Sequence, residues 1–176
     1  MFDPRGPVLG IDPGLSRCGY GIVARERGKP RALGCGVIRT PAGDALPDRL
    51  LALDDDLRLL VEQVRPSAMA VERVLFQNNA RTAMSVGQAS GLALVIAARA
   101  GIPVALYSPN EVKLAVTGDG RADKAAVQLM VARILNLAEV PKPPDAADAL
   151  ALACCHLWRA PLAAHVGAAA APVVTS

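Results

Sequence analysis

The chain has 176 residues, of which 52% are hydrophobic and 20% charged, and its formal net charge is +3. This composition is typical of one globular domain and excludes a disordered chain, while two Phe, two Tyr and one Trp are too few for a surface built mainly on base stacking. No apolar run approaches about 18 residues and the N-terminus lacks the form of a signal peptide, so we expect a cytoplasmic protein without a membrane segment.

The predicted elements begin with three strands and then alternate between helix and strand. Short, turn-separated segments rich in Val, Ile, Leu and Gly predict an antiparallel meander at 7–12, 18–26 and 31–40. Two further strands are predicted at 67–76 and 103–108. Helical periodicity predicts helices at 46–64, 78–101, 109–118, 121–137 and 143–160. This order predicts an α/β layer fold with one five-stranded mixed sheet flanked by helices.

The last residues differ in composition from the rest of the chain. The segment 161–176, "PLAAHVGAAAAPVVTS", has no Asp, Glu, Lys or Arg and no amphipathic pattern. Chain ends of this kind are poorly ordered unless packing holds them. We therefore expect a single domain over 1–160 and a disordered tail over 161–176.

Two carboxylates occupy strand positions that are otherwise apolar. Asp12 follows "VLGI" and precedes Pro-Gly, and Glu72 lies inside "MAVERV". If the first and fourth strands are parallel neighbours, about 4.8 Å apart, both carboxylates lie at one end of the sheet. The alternatives are that Asp12 is an ordinary turn residue and that Glu72 forms an ion pair with Arg73 or Arg81.

A second pair of carboxylates opens the last predicted helix. Asp145 and Asp148 are three residues apart and so share a helix face, although the same pair also suits a helix start, as cap and as dipole partner. Four carboxylates at one point would raise each other's pKa, and a divalent cation such as Mg²⁺ would remove that penalty. Two such ions can hold the attacking and leaving oxygens of an in-line phosphoryl displacement.

Basic and small residues suggest two further contacts. Lys124 lies in the first turn of a predicted helix, where the helix dipole disfavours a cation, and together with Arg121 and the exposed N–H groups it would suit a phosphate. The alternative is a solvated lysine. On the helix over 78–101, Ala83, Gly87 and Gly91 lie four residues apart, which favours close approach of another backbone, from the sheet or from a second subunit.

Four segments together resemble the RuvC family of bacterial Holliday-junction resolvases: "LGIDPGLSRCGYGI", "AVERV" with "NNARTAMSVGQASG", "EVKLAVTGDGRADKAAVQ" and "DAADALALA". The resemblance implies an RNase H-like homodimer that cuts two opposed strands of a four-way DNA junction in recombination and repair. It further implies Mg²⁺, with Mn²⁺ as a substitute and two ions per site, 5′-phosphate and 3′-hydroxyl products, and the branch-migration proteins RuvA and RuvB as partners.

The family's functional residues can be carried over position by position. Its acidic metal ligands fall on Asp12, Glu72, Asp145 and Asp148; some members have His at the third position, so this site resembles an all-carboxylate version. Lys113 and Lys124 match the family's DNA-contacting lysines. A non-cleaving module that binds branched nucleic acid with the same fold is the alternative, and the presence of all four acids favours the nuclease.

One position departs from the family pattern. Where many members carry a Phe that probes bases near the junction, this chain has Leu75, with Phe76 one residue later. Successive strand residues point to opposite faces, so Phe76 replaces the family Phe only if the loop shifts. Both residues are candidates for DNA contact.

Overall fold

The structure is a computed structural model that describes residues 6–74 and 80–169, with side chains described over 6–74 and 83–160. Its strands are β1 (Val8–Asp12), β2 (Arg17–Glu26), β3 (Lys29–Arg39), β4 (Ala68–Glu72) and β5 (Val104–Tyr107). Its helices are α1 (Leu46–Val64), α2 (Ala80–Arg99), α3 (Pro109–Thr117), α4 (Lys124–Ile134) and α5 (Pro144–Ala169). Within the described ranges, no helix has both the length and the apolar character that crossing a bilayer requires.

The strands form one five-stranded mixed sheet in the order β3-β2-β1-β4-β5. The first three strands pair antiparallel as the predicted meander. β1 pairs parallel with β4, and β4 pairs parallel with β5, because helical crossovers connect them. The predicted fold class, a five-stranded mixed sheet flanked by helices, is confirmed.

Helices cover both faces of this sheet, and the alternation of side chains along β1 separates two hydrophobic cores. Leu9 and Ile11 are fully buried against α1 and α2. Val8 is fully buried on the opposite face, in the core that α3, α4 and α5 supply. The sheet is therefore held from two sides, which fixes the positions of its strand ends.

Several predicted boundaries differ from the observed ones: β4 ends at Glu72 rather than at residue 76, α4 ends at Ile134 rather than at residue 137, and two helix boundaries differ as follows. α4 begins at Lys124 rather than at residue 121, because the Asp123 side chain caps the helix by accepting a hydrogen bond from the Ala126 amide at 2.7 Å. The backbone of α5 is helical to Ala169, beyond residue 160, where the predicted domain ends. The domain over 1–160 and the disordered tail over 161–176 stay predictions, and 170–176 lie outside the described residues.

A capping box fixes the start of α3. The Ser108 hydroxyl accepts a hydrogen bond from the Glu111 amide at 3.3 Å, and the Glu111 carboxylate accepts one from the Ser108 amide at 2.9 Å. Pro109 occupies the first turn, and Gly118 ends the helix at φ 79°. The spacing of Ser and Glu in "SPNE" is typical of such a capping box, and the reciprocal bonds orient the helix that carries Lys113.

We expect Ser108→Ala to lower the free energy of unfolding by about 1 kcal/mol, because the helix loses its cap. The bonds from Ser108 lower the pKa of Glu111 below its ordinary 4.5. Their contribution to stability is therefore present above pH 4.5 and disappears as the pH falls through the lower folded pKa. Urea denaturation of both proteins at pH 7 and pH 3 measures this, and an equal difference at both values would contradict the carboxylate's part in the cap.

Candidate active site

Three of the four predicted acids line one cleft at the carboxyl ends of β1 and β4. Because Ile11 pairs with Val71 in parallel register, Asp12 and Glu72 lie side by side at the ends of adjacent strands. Asp148, from the first turns of α5, lies across from them in a cleft of about 270 Å³. Lys113 of α3 and Lys124 of α4 line the same cleft.

Three glycines allow α5 to lie directly on these strands. A Cβ on Gly10 would lie 2.0 Å from the Ala149 carbonyl oxygen, one on Gly19 would lie 2.3 Å from that of Asp145, and one on Gly21 would lie 2.5 Å from the Leu150 amide nitrogen. Any side chain there would overlap the helix backbone, which cannot move independently of α5. The glycines therefore bring Asp145 and Asp148 down to the strand ends.

This glycine contact was not predicted, although the sequence contains a signal for it. Gly19 and Gly21 are two residues apart on one strand, and β1 pairs Gly10 with Gly21. Glycines that recur with period two on one sheet face indicate close approach of another backbone.

Asp12 is largely buried and lies close to other acidic side chains of the cleft. Burial, followed by the negative charges of Glu72 and Asp148, raises the pKa of Asp12 from 3.8 to about 8. Burial also raises the pKa of Glu72, and a hydrogen bond from Asp12 opposes that rise. The state in which one proton lies between the two carboxyl groups is therefore more stable than the state in which both are ionised. A bound cation would relieve this repulsion.

Lys124 supplies a positive charge on the opposite wall of the cleft. It is the first residue of α4, and its Nζ lies 2.5 Å from the Asp148 carboxylate. Burial lowers the pKa of Lys124, but the hydrogen bond and charge of Asp148 outweigh that effect and raise it overall. The unfavourable position of a lysine at a helix N-terminus, noted in the sequence, is thus compensated by an acid from α5.

Asp145 lies next to the cleft and pairs with a different cation. Both Nε and Nη2 of Arg17 donate to one Asp145 oxygen, the Nε at 3.1 Å. This arginine follows the loop after Asp12 and was not singled out in the sequence. Asp145 is not among the described residues that line the cleft.

Carboxylate oxygens are suitable ligands for a hard divalent cation, but the side chains of this site are not already grouped around a common point. Mg²⁺ prefers a few carboxylate oxygens, with waters and phosphate oxygens completing its shell. Across the described part of the chain, no three His, Cys, Asp or Glu side chains are grouped closely enough to hold a metal ion as they stand. Lys124 and Arg17 neutralise Asp148 and Asp145 instead, so metal ligation by these acids stays a prediction.

The remaining predicted site residues have different positions. Arg121 is exposed and does not line the cleft; its backbone amide donates to Asp119 at 2.8 Å. Leu75 and Phe76 lie outside the described residues, so their contact with DNA stays a prediction. The alternative ion pair of Glu72 with Arg73 is not formed among the described side chains, because the Arg73 guanidinium reaches the Leu106 carbonyl at 3.4 Å.

Comparison with known proteins identifies the family. The family model described as "Crossover junction endodeoxyribonuclease RuvC" matches residues 8–156. A protein of that name from Frankia alni is 56% identical over 169 residues, which cover 94% of this chain and 86% of the relative. Another from Streptomyces avermitilis is 57% identical over 155 residues, covering 88% of each chain.

Solved structures agree with this match. The structure of Thermus thermophilus RuvC in complex with a Holliday junction substrate is 39% identical, has a TM-score of 0.85, and covers 90% of this chain and 96% of that one. The yeast mitochondrial Holliday junction resolvase Ydc2, at 18% identity and a TM-score of 0.69, shares the fold. With the fold, the carboxylate cleft and these matches in agreement, the chain belongs to the RuvC family of crossover junction endodeoxyribonucleases.

Proposed function

We propose that this protein resolves four-way DNA junctions by hydrolysing two phosphodiester bonds in paired, symmetric nicks that leave 5′-phosphate and 3′-hydroxyl ends. The observation that carries the proposal is the cleft in which Asp12, Glu72 and Asp148 face Lys113 and Lys124. Carboxylates suit a cation, and lysines suit the phosphate that the cation and the acids must engage. Membership of a family of crossover junction endodeoxyribonucleases favours this activity over the non-cleaving alternative.

We assign the metal site to the four acids, with Mg²⁺ as the ion, Mn²⁺ as a substitute and two ions per site. A divalent cation bound there would supply Lewis-acid stabilisation of the phosphate and an acidified water. Asp12 and Glu72, on rigid strand ends, would provide the central oxygens. Asp148 and Asp145, now paired with Lys124 and Arg17, would exchange those partners for the cation, which would leave both basic side chains available to the DNA.

Lys113 and Lys124 are proposed to hold the DNA backbone, with the exposed Arg121 beside them. The experiment measures junction affinity in chelator at several salt concentrations. We expect Lys113→Gln and Lys124→Gln each to weaken binding by about tenfold, because a charged hydrogen bond to phosphate is lost, and to lower the salt slope by about one. Lys29→Gln, an exposed change at the β2–β3 turn, is the control, and equal slopes in all three would contradict this role.

We also propose a homodimer formed through α2. A Cβ placed on Gly87 or Gly91 would meet nothing within 4 Å among the described residues, so the sheet of the same chain does not explain these glycines. Met84 and Val95 are 68% and 46% exposed on the same helix. An open small-residue face with exposed apolar neighbours suits a second copy. The two identical sites of such a dimer would then cut a two-fold symmetric junction. We further propose that the protein acts in the cytoplasm and that its partners are RuvA and RuvB.

The test is cleavage of a synthetic four-way junction in Mg²⁺ at low salt, with a linear duplex of the same sequence as control. We expect symmetric nicks in the junction and none in the duplex, and no cleavage of either in chelator. Tight junction binding without cleavage in Mg²⁺ or Mn²⁺ would favour the non-cleaving module instead.

A further inference from the structure

A second polar groove lies on the other side of the strand ends. It has a volume of about 420 Å³ and is formed by the loop after Asp12, by α1 and by α2. The acid cleft opens towards α3, α4 and α5, so the two depressions lie on opposite sides of the sheet. Its polar side chains are those of Ser16, Arg17, Arg49 and Ser85.

Arg49 is the unusual residue of this groove. It is half-buried in the second turn of α1, and its Nη2 donates to the Ser16 hydroxyl at 2.6 Å and its Nε to the Thr40 hydroxyl at 3.1 Å. Among the described side chains, no carboxylate lies within ion-pair distance of its guanidinium. A guanidinium held by hydroxyl groups is oriented but keeps its charge uncompensated, so an anion at this position would be strongly favoured.

Hydrogen bonds connect Arg49 through Thr40 to the loop that follows Asp12. The Thr40 hydroxyl donates to the Leu15 carbonyl at 2.6 Å, and Thr40 is only 5% exposed. The same short loop joins Asp12 to Arg17, whose guanidinium binds Asp145. The buried Thr40–Leu15 hydrogen bond and the partly buried Arg49–Thr40 bond therefore connect the groove to the loop that follows Asp12.

We propose that this groove binds a backbone phosphate of the DNA strand that occupies the carboxylate cleft, with Arg49 as its principal ligand. The inference rests on the proposed function for the identity of the ligand. A strand that crosses the ends of β1 and β4 passes from Lys113 and Lys124 on one side to Arg49 on the other. The fork of a guanidinium suits a phosphate bidentately, and a phosphate contact fixes the strand without reading its sequence.

The experiment measures dissociation constants for a four-way junction and a linear duplex in chelator, where cleavage does not interfere, from low to high KCl. We expect Arg49→Gln to weaken binding of the junction by about tenfold at low salt and to lower the slope of log Kd against log salt by about 0.9. Arg49→Lys, which keeps the charge, restores most of the slope. Arg58 is an exposed residue of the same helix and pairs with Asp54. Arg58→Gln is therefore the control, and we expect its slope to equal that of the native protein.

Equal slopes for the native protein, Arg49→Gln and Arg58→Gln would overturn the proposal. A second pair of variants keeps it testable should Arg49→Gln fail to fold. Ser16 is exposed, and Ser16→Asp would give Arg49 an internal counter-ion, whereas Ser16→Asn is its neutral counterpart. We expect the Asp variant to bind DNA about tenfold more weakly than the Asn variant, and equal affinities would also overturn the proposal.

The outcome can be separated from that of the proposed function. Native protein that binds DNA through Arg49 but cuts no junction in Mg²⁺ would support the groove and refute the resolvase. Native protein that cuts junctions and shows no change of slope in Arg49→Gln would refute the groove alone.

Discussion

Asp12→Asn is expected to abolish junction cleavage while junction affinity in chelator stays within about twofold of native. Asp12 ends β1 between Glu72 and Asp148, and removing its charge takes away an oxygen ligand at the centre of the proposed metal site. The loss of several kcal/mol of charge stabilisation corresponds to a rate reduction of about a thousandfold. Single-turnover cleavage of a labelled four-way junction in Mg²⁺ measures it.

The same variant is expected to be more stable than the native protein in chelator. Since burial and neighbouring charges raise the pKa of Asp12 from 3.8 to about 8, the native fold loses stability as the pH rises between those values. The neutral Asn has no such titration, so we expect the stability of Asp12→Asn relative to the native protein to increase as the pH rises from about 4 to about 8.

Thermal melting with and without Mg²⁺ provides a readout that does not depend on cleavage. Mg²⁺ should raise the melting temperature of the native protein by binding the folded state, and it should do so much less in Asp12→Asn. Native-like cleavage by the variant, or an equal Mg²⁺ effect on both proteins, would show that the cleft is not the metal site.

The second large effect concerns the glycines beneath α5. Gly10→Ala and Gly21→Ala place a methyl group 2.0 Å from the Ala149 carbonyl oxygen and 2.5 Å from the Leu150 amide nitrogen. These are backbone atoms, so the helix itself must shift. We expect a loss of about 3 kcal/mol in the free energy of unfolding and a loss of cleavage of at least about 100-fold, because an ångström-scale displacement of the α5 acids misplaces the reacting groups.

Gly34→Ala is the matched control on the same sheet. Among the described residues, its Cβ would meet only the Ile22 Cδ1 atom at 3.5 Å, which is an ordinary contact, so stability and cleavage should stay close to native. Urea denaturation and the junction assay compare the three variants. Native activity in folded Gly10→Ala or Gly21→Ala would show that α5 does not need this close contact to present its acids.

Local patterns in the sequence predicted most of the secondary structure because each element carries its own period. The short apolar run in "VLGID", followed by Pro-Gly, and the leucine spacing of α1 identify strand and helix without reference to the rest of the chain. The proximity of Asp12 and Glu72 was predicted only on the condition that β1 and β4 are parallel neighbours, and the structure has that pairing.

The contacts that the sequence did not predict join distant residues. Arg17 with Asp145 and Lys124 with Asp148 depend on where α5 crosses the sheet, and no local pattern carries that information. Arg49 was missed for the same reason, since its partners Ser16 and Thr40 come from two separate loops. The sequence left open whether the sheet or a second subunit approaches Gly87 and Gly91. A Cβ on either glycine would meet no described residue within 4 Å, so the sheet of the same chain does not make this close approach.

The acids of the cleft come from elements at both ends of the chain, which ties the site to complete folding. Asp12, Glu72 and Asp148 come from β1, β4 and α5, so the acids meet only after the last helix has docked on the completed sheet. A chain that ends before α5 lacks Asp145 and Asp148, so only the two strand-end carboxylates Asp12 and Glu72 remain. We therefore expect the ability to cut DNA only in molecules that have folded through α5.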